Sequence, residues 1–232
     1  MRSNWFPLAA LAVASVLLAA TGCQRGGGGT QPAADARGSG ADQGPAGAES
    51  AATAAIKSDQ DPLHPVVQID TVLGTLKVRL DKEKAPITVD NFLDYVGGRF
   101  YDQTIFHQVR KEYPKLILAG GYTPELVEKK AHTPIRNEAH NGLKNRRGTI
   151  AMARQPDTVD SATCHFFINL SDNEILDYRE RTPQGYRYCV FGEVIEGLDV
   201  VDRIGQAPVH DSDKFEQIPV ETIAIKTIRQ IK

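Results

Sequence analysis

The stretch SATCHFFIN at residues 161–169 decides the fold of this chain, together with FHQV at residues 106–109 and GTIAMAR at residues 148–154. Each contains a short apolar run of the length and composition typical of a β-strand. Neighbouring residues of a strand face opposite sides, so Phe166 and Phe167 cannot both point into one core. We expect one ring to point inward and the other outward.

Strand-like segments recur along the chain. The run TLKVRL at residues 75–80 alternates strictly, which predicts a half-buried strand, and Gly74 before it suits a hairpin turn from residues 66–70. Further strands are predicted at residues 104–109, 115–119, 148–153, 165–170, 188–194 and 221–228.

Two helices are predicted. The first opens at Pro86, a residue that suits the first turn of a helix, with Thr88 as a possible cap, and it ends at the glycines 97–98. The second covers residues 198–204. Many short strands with few helices favour an all-β barrel or sandwich over an α/β layer fold.

The composition is that of an ordinary globular protein. The chain has 232 residues, of which 41% are hydrophobic and 24% charged, and its net charge is -2. This length leaves room for one medium domain or two small ones. With no basic stripe, nucleic acid is not expected as a partner.

The N-terminus is typical of a bacterial targeting segment. Residues 8–20 form an apolar run after Arg2, too short for a membrane span, which needs roughly 20 residues. The run ends in ATGC at residues 20–23, which resembles a lipobox. We therefore predict a lipoprotein signal peptide over residues 1–22 and lipidation of Cys23. Plain secretion with a free Cys23 is the alternative.

The predicted organisation has three parts: the signal peptide, a flexible Gly/Ala-rich linker at residues 23–61 and a domain at residues 62–232. The protein would thus be held by its lipid on the extracytoplasmic side of a bacterial envelope membrane. Cys164 and Cys189 each begin a predicted strand. If those strands pair antiparallel, the two thiols lie at opposite ends and stay free.

Several segments together resemble one known family. They are APITVDNFLDY at residues 85–95, FYDQTIFH at 100–107, YCVFGEV at 188–194 and EGLDVVD at 196–202, in addition to the opening three. In order and spacing they resemble the bacterial cyclophilins, which are peptidyl-prolyl cis/trans isomerases, across residues 66–231. The resemblance implies an eight-stranded antiparallel closed barrel capped by two α-helices, with a peptide groove on its outer face. It also implies proline-containing polypeptides as partners and no cofactor or metal, and we expect a monomer.

The resemblance also assigns the site residues. Phe167 would form the floor of a proline pocket, and the other substrate-binding positions are Leu116, Ile117, Ala119, Ala153, Arg154, Ile175, Leu176 and Tyr188. The catalytic positions are His107, Gln108 and His165, with His107 orienting the groove.

The polar positions depart from the family pattern. Gln108 replaces the family's catalytic arginine, Ala119 replaces a glutamine before the glycines 120–121, and His165 replaces another glutamine. The reaction must lower a rotation barrier of about 18–20 kcal/mol by desolvating the proline and donating to the twisted amide. Gln108 is a neutral donor, and a neutral hydrogen bond is roughly half as strong as a charged one.

Other donors could compensate: Arg110, Lys111 or Lys115 could supply a cation, and His165 a hydrogen bond, although each could equally be a plain surface or structural residue. Three functions therefore stay open. The first is an isomerase for exported proteins with reduced activity. The second is a non-catalytic proline-peptide binding module or holdase. The third is a structural envelope protein with a vestigial groove.

Overall fold

A computed structural model describes residues 61–231. Eight strands close into a barrel in the order β1-β10-β3-β4-β6-β5-β7-β2, and every neighbouring pair is antiparallel. These strands are β1 (Val66–Thr71), β2 (Gly74–Leu80), β3 (Thr104–Arg110), β4 (Leu116–Ala119), β5 (Thr149–Met152), β6 (Phe166–Asn169), β7 (Val190–Glu196) and β10 (Ala224–Ile231). The helices are α1 (Pro86–Gly97) and α2 (Leu198–Gln206). The predicted barrel with two helices is confirmed.

A small second sheet was not predicted. The strands β8 (Val209–His210) and β9 (Ile218–Pro219) form a separate two-stranded sheet. A strand of two residues shows no periodicity, so the pattern of the sequence could not reveal it.

The start of α1 differs from the expectation. Pro86 lies in the first turn as predicted, but Thr88 does not cap the helix. The cap comes from Glu138, whose buried carboxylate accepts hydrogen bonds from the Ile87 and Thr88 amides at 3.2 and 2.8 Å and from the Thr88 hydroxyl at 2.8 Å. A carboxylate at this end satisfies the orphan amides and complements the helix dipole.

The barrel interior is filled by aromatic and branched side chains. Phe166 belongs to this interior cluster and packs edge-to-face on Phe92 and Tyr101, with ring centroids 5.6 and 5.5 Å apart. Phe167 belongs to a different cluster outside the barrel. The prediction that the two rings face opposite sides is confirmed.

Cys164 and Cys189 are free, as predicted, and both are buried, although the strands that follow them do not pair with each other and instead flank β5. The signal peptide, Cys23 and nearly all of the linker lie outside the described residues. Between residues 61 and 231, no helix combines the length and apolar character needed to cross a membrane.

Candidate active site

An apolar cluster lies on the outer face of β4, β5 and β6. Phe167 is paired with Leu118 on one side and Ala151 on the other, so these three side chains share one face. Phe167 also meets Tyr188 edge-to-face, with centroids 5.5 Å apart. We call this group the outer cluster; it comprises Leu116, Leu118, Ala151, Ala153, Phe167, Leu176, Tyr188 and Val190.

Two residues predicted to line the pocket lie inside the barrel instead. Ile117 and Ala119 belong to the interior cluster, because they alternate along β4 with Leu116 and Leu118. Leu118, which the sequence reading did not single out, takes a place among the groove residues. Counting in steps of two from Leu116, or across the sheet from Phe167, could have identified it.

Two polar side chains of β3 lie on the same face. Gln108 is paired with Leu118 and Arg110 with Leu116, and both are half-buried. The pairing shifts register between Phe106 and Gln108, so His107 is the extra residue of a β-bulge. Gln108 and Arg110 therefore stand together at the rim of the outer cluster.

The two histidines expected at the site pack among aromatic rings. His107 packs against Tyr122, His165 and Phe215, with ring centroids 4.8, 5.3 and 5.4 Å away. Both histidines are only 1% exposed. Burial, and then the neighbouring His165, hold the pKa of His107 well below its usual range. We call these four rings the histidine cluster; in it the two histidines pack on each other and on two aromatic side chains.

His165 is held by two neighbours. Its Nδ1 accepts a hydrogen bond from the Gly121 amide at 3.2 Å, and its Nε2 lies 3.7 Å from Oε1 of Glu128. His165 thus joins the start of β6 to the segment after β4.

Arg154 has a structural role in place of the expected groove contact. It is 3% exposed, and every nitrogen of its guanidinium donates to a backbone carbonyl. The acceptors are Arg187, Gln155, Pro156, Thr158 and Pro183, at 2.7, 2.8, 2.8, 3.3 and 2.7 Å. The guanidinium also lies 5.6 Å from the ring centroid of Tyr188. Arg154 therefore fixes the loops that carry one wall of the outer cluster. The Ala153 amide is also engaged, since it donates to the His165 carbonyl at 2.9 Å.

The opposite wall is a 3-10 turn at Glu174–Leu176. Leu176 lies in the outer cluster, and Ile175 packs against it. The hydroxyl of Tyr113 accepts a hydrogen bond from the Ile175 amide at 3.3 Å. An aromatic side chain from the β3–β4 loop thus stands beside Ile175 at this wall.

Three buried asparagines hold this wall, and sequence reasoning missed them. Asn145 donates to the Leu176 carbonyl at 3.0 Å, Asn169 donates to Asn145 at 3.2 Å, and Asn173 donates to Asn169 at 2.7 Å. Asn173 also bonds both the amide and the carbonyl of Lys115, at 3.0 and 2.8 Å. The network joins the turn to the start of β4, and a fully satisfied buried network of this kind rigidifies its surroundings.

Tyr188 is a neutral phenol in this environment. Burial raises its pKa to about 12, although the charges of Arg154, Arg187 and Arg110 act in the opposite direction.

The floor of the outer cluster is covered, since Leu116 and Phe167 are both 0% exposed. A ligand that reaches Phe167 must therefore displace a side chain that covers it. The site offers apolar burial and hydrogen-bond donors, which suits binding and twisting of an amide more than nucleophilic chemistry.

Comparison with known proteins gives one consistent result. The family model described as cyclophilin type peptidyl-prolyl cis-trans isomerase/CLD matches residues 66–230. Peptidyl-prolyl cis-trans isomerase B of Escherichia coli (strain K12) is 43% identical over 163 residues, which cover 70% of this chain and 98% of that protein. A peptidyl-prolyl cis-trans isomerase of Acinetobacter baylyi is 44% identical over 167 residues, or 72% and 85% of the two chains. The crystal structure of a cyclophilin type isomerase of Cryptosporidium parvum in the presence of the dipeptide Ala-Pro matches with a TM-score of 0.60 at 28% identity, covering 72% of this chain and 99% of that one.

Proposed function

This chain belongs to the cyclophilin-type peptidyl-prolyl cis-trans isomerases, and from that premise we propose that it isomerises X-Pro bonds in exported and envelope polypeptides. We further propose that Cys23 is lipidated and anchors the domain to a bacterial envelope membrane. The apolar run at residues 8–20 and the ATGC sequence that ends it support the anchor. The partners would then be unfolded or partly folded chains that have crossed the membrane.

The outer cluster carries the proposal for catalysis. A proline ring placed on Phe167, between Leu176 and Tyr188, would be buried away from water. The X-Pro amide bond before the ring would then lie at the rim of the outer cluster. The planar amide loses conjugation as it twists, and its carbonyl and nitrogen then accept hydrogen bonds more strongly. A donor fixed at the rim stabilises that twisted state more than the planar one, which lowers the barrier.

Gln108 supplies only part of this stabilisation. It is half-buried on the outer face opposite Leu118, at the rim of the outer cluster. Its amide group is neutral, so its hydrogen bond is roughly half as strong as that of a charged donor. With Gln108 as the sole donor, we expect the isomerisation rate to be below that of relatives that carry arginine at this position.

The test of activity is exchange spectroscopy by NMR on an Ala-Pro peptide with the purified full-length protein. We expect faster cis/trans exchange with the wild-type chain and a large loss for Phe167→Ala. Val127→Ala is the matched control, because Val127 is 59% exposed and lies outside the outer cluster. Peptide chemical-shift changes with no change in exchange rate would instead favour a non-catalytic binding module or holdase.

Anchoring has a separate test. Cells grown with a labelled fatty acid should incorporate the label into the wild-type protein and not into Cys23→Ser, which should leave the membrane fraction. Recovery of unlabelled wild-type protein from the soluble fraction would refute the anchor and leave the isomerase proposal intact.

A further inference from the structure

We propose that Arg110, two residues beyond Gln108, is a catalytic residue that supplies the charged hydrogen-bond donor for the twisted amide. This inference deepens the proposed function and rests on it. The first argument is placement. Arg110 is paired with Leu116, whose side chain belongs to the outer cluster, so Arg110 stands on the groove face of β3.

The end of β3 that carries Arg110 is held in place. Arg110 pairs in the β3–β4 ladder, and the far end of the connecting loop is fixed where Asn173 bonds both backbone groups of Lys115. Between these two points, Tyr113 is joined to Ile175 across the groove rim. A donor on a fixed backbone needs little reorganisation during the reaction, which is the condition for strong electrostatic stabilisation.

The guanidinium of Arg110 lies within the electrostatic environment of the groove. Burial lowers the pKa of Arg110, while Tyr188 and Glu216 raise it, and the charge of Arg110 in turn lowers the pKa of Tyr188. Tyr188 forms one wall of the outer cluster and meets Phe167 edge-to-face. The charge of Arg110 thus acts on the wall against which a proline ring would pack, and an arginine keeps its charge in proteins.

The other candidate donors are placed differently from Arg110, which is paired with Leu116 on the groove face. Arg154 donates from all three guanidinium nitrogens to backbone carbonyls. Lys111 is exposed and donates to the Gln206 carbonyl at 3.4 Å, at the end of α2. His165 is buried in the histidine cluster. Of these groups, Arg110 alone combines a cation with the groove face of a strand.

Gln108 and Arg110 also fit one extended peptide together. Residues two apart in a strand are about 6.5–7 Å apart, and successive carbonyls on one side of an extended ligand repeat at about the same distance. Gln108 can therefore hold one carbonyl of the substrate while Arg110 donates to the amide that twists. Phe167 is 0% exposed, so the proline ring reaches it only when a side chain that covers Phe167 moves aside.

The experiment compares three variants of the full-length protein: Arg110→Ala, Arg110→Lys and, as a matched control, Lys111→Ala. The control removes the next cation along the chain, whose ammonium donates to the Gln206 carbonyl at the end of α2. Exchange spectroscopy on an Ala-Pro peptide gives kcat/KM, and peptide titration gives Kd. Urea unfolding verifies that each variant is folded.

Removing one preorganised donor from a buried site lowers the rate by about 100- to 1000-fold. Because Arg110 is only half-buried, we expect a smaller loss for Arg110→Ala, with kcat/KM falling about 10- to 100-fold. Most of the loss should be in kcat, since the donor acts on the twisted amide. Arg110→Lys should retain part of the activity, and Lys111→Ala should stay within twofold of wild type.

Three results would overturn the inference. A folded Arg110→Ala within twofold of wild type would leave the isomerase proposal standing without Arg110. An equal loss in Lys111→Ala would mean that net charge, and not this guanidinium, is responsible. A wild-type protein that does not accelerate exchange would reject the proposed function and the inference together.

Discussion

Replacing Asn173 by alanine should destabilise the domain and loosen the groove wall. The Asn173 side chain is 0% exposed. It accepts hydrogen bonds from the Lys115 amide at 3.0 Å and the Ser171 hydroxyl at 3.1 Å, and donates to the Lys115 carbonyl at 2.8 Å and to Asn169 at 2.7 Å. A typical hydrogen bond contributes about 1 kcal/mol net, so losing four bonds sets an upper value of about 4 kcal/mol.

Water can reach part of the vacated site, because Lys115 is an exposed residue whose backbone can be rehydrated. We therefore expect the free energy of unfolding to fall by about 2–4 kcal/mol. With a urea m-value of about 2 kcal/mol/M, the midpoint should move down by about 1–2 M.

Urea unfolding followed by circular dichroism measures this change. Ser171→Ala is the matched control, since it removes only one bond at the edge of the network and should lower stability by about 0.5–1 kcal/mol. A loss below about 1 kcal/mol for Asn173→Ala, or a loss equal to that of the control, would refute the argument that Asn173 fixes the start of β4.

Three further predictions follow from the same contacts. Glu138→Gln should lower stability by about 1–2 kcal/mol, because the charged acceptor of the Ile87 and Thr88 amides becomes neutral; an unchanged urea midpoint would contradict this. Cys189 should resist thiol reagents at pH 8 until the protein unfolds, since burial raises the pKa of its thiol to about 12; in a Cys23→Ser chain, rapid labelling of Cys189 in the folded state would be the opposing result. Gln108→Arg alone should raise kcat/KM by less than about threefold, because Arg110 already places a guanidinium on this face and a second cation would be repelled; a tenfold gain would show that the charged donor was missing.

The fold was accessible from the sequence because its signals are local and periodic. Alternation in residues 75–80 gave β2, and the adjacent phenylalanines required one inward and one outward ring. The ends of the elements were less accurate, as at β5 and β6, where each strand is one residue shorter at both ends than predicted. Fraying and bulges at strand ends leave no clear mark in composition.

The candidate site was only partly accessible. Phe167, Leu116, Leu176 and Tyr188 were assigned from resemblance and do meet in the outer cluster. Ile117 and Ala119 were predicted to line the groove. Because Leu118 pairs with Phe167, the alternation along β4 places both of them in the interior cluster. Several partners of the asparagines are distant in the chain: Asn145 and Leu176 are 31 positions apart, and Asn173 and Lys115 are 58 apart, so no local pattern indicates these contacts.

The histidines illustrate a different limit. The sequence predicts a regular strand at residues 104–109. In the structure a bulge at His107 interrupts the pairing, and the His107 ring packs on Tyr122 and Phe215. A bulge depends on pairing with the partner strand, which a single sequence does not display. The same pairing sets the register that places Gln108 opposite Leu118 and Arg110 opposite Leu116.

The central claim is that the charged donor of this isomerase stands at position 110. The most direct measurement is the ratio of kcat/KM for Gln108→Ala to that for Arg110→Ala, taken by exchange spectroscopy on one Ala-Pro peptide. Because a charged hydrogen bond is roughly twice as strong as a neutral one, we predict the larger loss at Arg110, and therefore a ratio well above one. A ratio below one, with both variants folded, would contradict the claim and return the leading role to Gln108.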